Sequence, residues 1–121
     1  MMELSKDQLT ALYDVASDMH LGFNAWAAPV YIDGHGDERL FDPLTHDASA
    51  LRLQIHYRLS LEVTDYGVFV RSAEGRMLLW KEFPKDFTRN QELEVCRKAL
   101  FHAAYRVIGE ARQQAELTAT S

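Results

Sequence analysis

The chain has 121 residues, 47% of them apolar, and its 18 acidic against 13 basic side chains give a formal charge of −5. This length and apolar fraction suit one compact domain, expected over residues 1–121 with a core across about 5–111, and need neither disulfides nor a structural metal. The acidic balance withholds the general positive field that attracts duplex nucleic acid or an anionic membrane, and the single cysteine, Cys96, excludes an intrachain disulfide and any cysteine-based zinc finger.

The opening MMELSKDQL mixes charges every few residues, so it reads as neither a secretory signal nor an anchor, and no stretch approaches membrane-spanning length. A reducing cytoplasm is the expected setting. Ser5 stands three residues before Gln8 and just ahead of Leu9, Leu12, Ala16 and Met19. That is a capping box opening an amphipathic helix from about Lys6 to Met19. Residues 22–36 hold Phe23, Trp26 and Tyr31, then run into Asp33-Gly34-His35-Gly36-Asp37. They show no clean period, which predicts an irregular, partly buried loop with a short strand around Val30 to Ile32.

Leu44, Ala48, Leu51, Ile55 and Leu59 recur at intervals of three and four, the spacing of one stripe on a second helix, and the stripe is expected to face the core. Asp47 stands where a carboxylate accepts backbone N–H bonds at the helix start, and Asp42-Pro43 reads as a turn or an earlier cap. A cap contributes about 1 kcal/mol and each buried aliphatic roughly 1.5–3 kcal/mol, so packing dominates this segment. After Tyr57 the period changes to two, with Leu59, Leu61 and Val63 alternating with polar residues. Asp65-Tyr66-Gly67 is then a turn, Val68-Phe69-Val70 a second strand, Ser72-Ala73-Glu74-Gly75 another turn and Met77-Leu78-Leu79-Trp80 a third strand. The result is a three-stranded antiparallel meander whose later strands are apolar on both sides, calling for helices above and below it. Phe83-Pro84 ends the last strand, and Thr88 with Gln91, or Asn90 alone, caps a final helix expected to reach about Ala111 on a stripe of Leu93, Cys96, Leu100, Ala103 and Val107. Residues 113–121 are small and polar and read as a flexible tail. The fold class is α+β, with the meander and about three helices.

The segment Phe41-Asp42-Pro43-Leu44-Thr45-His46-Asp47-Ala48-Ser49-Ala50-Leu51-Arg52-Leu53, followed by Leu-Ser-Leu-Glu-Val and a glycine-turn hairpin, resembles small phage and prophage proteins with a phage alpha-beta-alpha sandwich domain. The resemblance follows element order over roughly residues 7–110, and its motifs lie mostly in 41–70. Phe41 stands where that family carries tryptophan, and His46 interrupts an acidic pair. It implies an alpha-beta-alpha sandwich and a phage context, but no catalytic residue, cofactor or substrate.

The candidate chemistry is sparse. His35 among Asp33, Asp37 and Glu38 is the most ligand-like cluster, yet a calcium loop starting there would need glycine at its sixth position and glutamate at its twelfth, where Glu38 and Leu44 stand. A transition-metal site would require His20 or His46 to converge on it. His46-Asp47 beside Thr45 could pair a base with its orienting carboxylate, but neighbouring residues at a helix start point in different directions. No nucleophile elbow, phosphate loop or zinc-protease helix appears in the sequence. Cys96 reads as a small buried hydrophobe, and Arg71, Arg76 and Lys81 line a meander edge diluted by Glu74 and Glu82.

These residues favour a non-catalytic, phage-type accessory protein that binds a protein partner, a host-defence component being one such target. Phe23, Trp26 and Tyr31 suit core cover first and, where the loop is exposed instead, are its candidate contact residues. No catalytic residue, metal or cofactor is assigned, nucleic acid and membrane are not expected partners, and a homodimer is one form such binding takes. The alternative is a small hydrolase or metal-dependent enzyme using His35 and His46 with nearby carboxylates. A nucleic-acid mimic ranks last, because the carboxylates form no long run.

Overall fold

The computed structural model describes residues 5–119, and the chain separates into two compact units at the junction of Asp42 and Pro43. Among the described residues it is an α+β protein of three helices and two separate three-stranded antiparallel sheets.

In the amino-terminal unit, α1 (Lys6–Asp18) begins at the expected capping box: the Ser5 hydroxyl accepts from the Gln8 N–H at 3.1 Å, and the Ser5 N–H donates to Gln8 Oε1 at 3.0 Å. Its buried face is Ala11, Leu12, Val15 and Ala16, so Leu9 stays exposed. Within residues 22–36 the expected short strand is present, but it is flanked by two further strands in place of the expected irregular loop. The strand at Pro29–Ile32 (β2) pairs on one side with β1 (Gly22–Phe23) and on the other with β3 (Glu38–Leu40). Two- and three-residue strands are too short to show alternation, and here the turns set the register.

In the second unit, α2 (Asp47–His56) is followed by the expected meander, β4 (Ser60–Val63), β5 (Gly67–Arg71) and β6 (Met77–Glu82), and then by α3 (Arg89–Ala119). Val68, Val70 and Leu78 are buried, and α3 lies on β5 and β6 while α2 packs on α3. Alanines at 99, 103 and 104, fully buried beside Leu100, Phe101 and Ile108, let the helix approach closely. On the other side of the meander Phe69 and Trp80 stack with centroids 4.4 Å apart. The Trp80 ring also covers Gly67, where an added Cβ would run into the Lys81 carbonyl oxygen and come within 2.8–2.9 Å of the indole. Glycine is required there by close approach, and the indole shields the bare backbone.

Three expectations need correction in this unit. The buried face of α2 is Ser49, Ala50 and Leu53, whereas Leu51 and Ile55 are 55% and 53% exposed. At 100° per residue they point roughly opposite to Leu53. The expected stripe counted Leu44 and Leu59, which are buried but lie outside the helix. Asp47 is not a cap: His46 holds the N-cap position without a side-chain bond, and the Asp47 carboxylate instead accepts from Arg97 Nη1 at 2.8 Å. Arg97 Nε also donates to the Leu44 carbonyl at 3.0 Å, which ties the start of α2 to α3. Finally, α3 starts at the expected Thr88–Gln91 capping box but continues through the supposed tail to Ala119. The segment Arg112-Gln113-Gln114-Ala115-Glu116-Leu117 contains good helix formers and no glycine or proline to stop the helix.

Candidate functional site

Among the described residues no group of three or more His, Cys, Asp or Glu side chains is arranged to hold a metal ion. His20 follows α1 in a left-handed conformation (φ 59°), His35 sits at the exposed tip of the β2–β3 turn, and His46 is the exposed N-cap of α2 in the other unit. Cys96 is half-buried; burial first, and then Glu92, push its thiol above the usual value, so little thiolate forms near neutrality. Arg71 lies 3.9 Å from Glu62, and Arg76 pairs with Glu110, so these cations are matched to carboxylates rather than forming a basic rim.

The Asp33 cluster is a structural clamp. Asp33 Oδ1 accepts from the His35 and Asp37 N–H groups at 2.9 and 3.0 Å, and Oδ2 accepts from Arg39 Nε at 2.8 Å. The Arg39 hydrogen bond, with the two backbone donors behind it, pulls the Asp33 carboxyl down from 3.8 to about 2. His35 contributes its backbone to this turn and leaves its imidazole outside.

That clamp recurs. Residues 24–28, 33–37 and 72–76 form the same five-residue hairpin turn. In each, the first N–H donates to the fifth carbonyl at 2.8–2.9 Å, and the fourth N–H donates to the first carbonyl at 2.9–3.1 Å. The first side chain, Asn24, Asp33 or Ser72, accepts from the fifth N–H at 3.0–3.2 Å. The fourth residue is left-handed each time: Gly36 at φ 82°, Gly75 at 87°, and Ala27 at 60°. The third residue points to solvent in all three, as Trp26, His35 and Glu74 do. In two turns it is polar. In the first it is an indole, 86% exposed, with its N–H backbone group bonded to Asn24 Oδ1 at 2.9 Å.

The three aromatic candidates therefore separate. Trp26 projects from a clamped turn. Phe23 is 45% exposed and stacks on Tyr13 of α1, with centroids 5.9 Å apart. Tyr31 is only 9% exposed and belongs to the interior. Helical spacing adds Leu9 one turn before Tyr13, so Leu9, Tyr13 and Phe23 form an apolar strip in the same unit as Trp26. Neither Leu9 nor Tyr13 is conspicuous in sequence, because each fits an ordinary amphipathic helix.

No family model, curated protein or solved structure matches this chain. No helix of the described residues is long and apolar enough to cross a membrane.

Proposed function

We propose that this α+β protein is a non-catalytic protein-binding module of the phage accessory type, working in the cytoplasm on a host or phage protein, with Trp26 as the anchor of its contact surface and Phe23 beside it. The observation that carries this reading is a tryptophan 86% exposed on a turn whose backbone is fixed by Asn24 and held left-handed at Ala27. Tryptophan exposed without a partner forgoes a large apolar contribution, and a rigid mount lowers the entropy lost on docking. A left-handed alanine costs about 1–2 kcal/mol relative to the ordinary right-handed conformation, a cost that functional turns retain. The phage context rests on the sequence resemblance over residues 41–70.

Affinity capture from host lysate with identification of bound proteins tests the proposal. The wild-type chain is expected to retain a specific partner that Trp26→Ala releases, with the variant's circular dichroism and melting unchanged because the side chain packs on little. Partners identical for both forms, or no specific partner for either, would refute it. Sedimentation of the two forms tests whether the partner is a second copy.

A further inference from the structure

The charge of the chain is segregated between the units. Residues 1–42 carry eight Asp and Glu against two cations, Lys6 and Arg39, for a formal −6, whereas residues 43–121 carry ten against eleven, for +1. Arg39 is bonded to Asp33 at 2.8 Å and lies 4.0 Å from Asp37. On α1, Asp7, Asp14 and Asp18 are spaced by seven and four residues. At 100° per residue they fall in one narrow stripe, roughly 100–140° around the helix from Tyr13. The strip Leu9–Tyr13–Phe23 and the exposed Trp26 thus share the unit whose sequence carries the formal −6.

An exposed tryptophan has three common destinations: a membrane interface, a stacked nucleobase, or the centre of a protein interface. The first two present anionic lipid or phosphate, which a unit of charge −6 repels. A protein surface bearing lysine and arginine is attracted instead, and an indole face is the best aromatic seat for such a cation. We propose that the Trp26 hairpin docks on a cationic protein surface, drawn by the negative charge of its unit and seating a lysine or arginine side chain against the indole. This rests on the binding role proposed above and names the chemistry of its partner.

Proton–nitrogen NMR of the full chain tests it. The two indole N–H signals, from Trp26 and Trp80, are distinguished by Trp26→Phe. The probe is a 16-residue alternating Arg-Gly peptide. The comparators are an Asp-Gly peptide of equal length, vesicles of phosphatidylcholine with phosphatidylserine, and a 12-nucleotide oligothymidylate.

The Arg-Gly peptide is expected to move the Trp26 signal, with a dissociation constant about tenfold higher at 300 mM than at 50 mM NaCl. Trp26→Ala should weaken binding about fivefold, and Asp14→Asn with Asp18→Asn should flatten the salt dependence while leaving the spectrum folded. An unmoved Trp26 signal, equal movement by the anionic probes, or salt-independent binding overturns the proposal. A natural partner captured through Trp26 but indifferent to salt refutes the cationic assignment alone, whereas a partner indifferent to Trp26→Ala refutes the binding role as well.

Discussion

Replacing Leu53 and Leu51 separately by alanine distinguishes the observed orientation of α2 from the one its spacing suggests. Leu53 is fully buried and Leu51 is 55% exposed, two residues apart on a helix of ten. Leu53→Ala removes apolar carbons from the interior and leaves a cavity between α2 and its packing partners, at a cost of about 3 kcal/mol. Leu51→Ala removes the same atoms where more than half of the side chain already meets water, and alanine is the better helix former; the cost is no more than about 1 kcal/mol. In urea melts followed by circular dichroism, with a slope of about 2 kcal/mol per molar, the midpoint falls by roughly 1.5 M for Leu53→Ala and at most about 0.5 M for Leu51→Ala. Unchanged slopes would show that both variants unfold from the same state. Equal midpoints, or a larger loss for Leu51→Ala, would refute the assignment of Ser49, Ala50 and Leu53 as the inward face.

Gly67→Ala drives a Cβ into the Lys81 carbonyl oxygen and to within 2.8–2.9 Å of the Trp80 ring and should cost about 2 kcal/mol or more, with a change in near-ultraviolet dichroism as strand and indole shift; an unchanged melt would contradict that packing. Ala27→Gly relieves the left-handed alanine but adds backbone freedom to the unfolded chain, for a net gain of about 0.5 kcal/mol in thermal or urea unfolding. A measurable loss would mean that Ala27 is not left-handed in solution. Carbon-detected titration of Asp33 should show a midpoint near 2, below its ordinary 3.8. Because the folded state depresses this value, its stabilisation is present above about pH 4 and is lost as pH falls towards 2; Arg39→Ala should move the midpoint upward, and no movement would exclude the Arg39 hydrogen bond as the main cause.

Long periodic segments were readable from the chain, and short or two-sided ones were not. Ser5 with Gln8 and Thr88 with Gln91 announced two helix starts, because a capping box is local and both of its hydrogen bonds form within four residues. The meander was legible because glycine turns separate runs of Val, Leu and Phe. The face of α2 was not, since apolar residues lie on both sides of the helix: Leu51 and Ile55 outward, Ala50 and Leu53 inward. Periodicity gives the helix but does not choose between two apolar faces; the choice falls to packing, in which α2 lies on α3 and small Ser49 and Ala50 are buried. The far end of α3 had no stop residue, and polar composition alone does not end a helix.

The same reasoning locates the signal for Trp26. Three turns share one backbone conformation, and two announce themselves as Asp33-x-x-Gly36 and Ser72-x-x-Gly75, an oxygen-bearing first residue with glycine at the left-handed fourth position. Asn24-Ala25-Trp26-Ala27 is the third member, concealed because alanine replaces glycine and so removes the usual mark of positive φ. Once it is aligned with the other two, Trp26 takes the place of His35 and Glu74, the residue that this turn directs outward. Its exposure then follows from backbone geometry and not from a choice of rotamer, and the aromatic residues near it sort themselves accordingly: Tyr31, within a paired strand, goes inward, while Trp26, at the apex, goes out. In the binding role proposed above, this turn is the mount that holds the indole in water on a backbone fixed by Asn24 and Ala27.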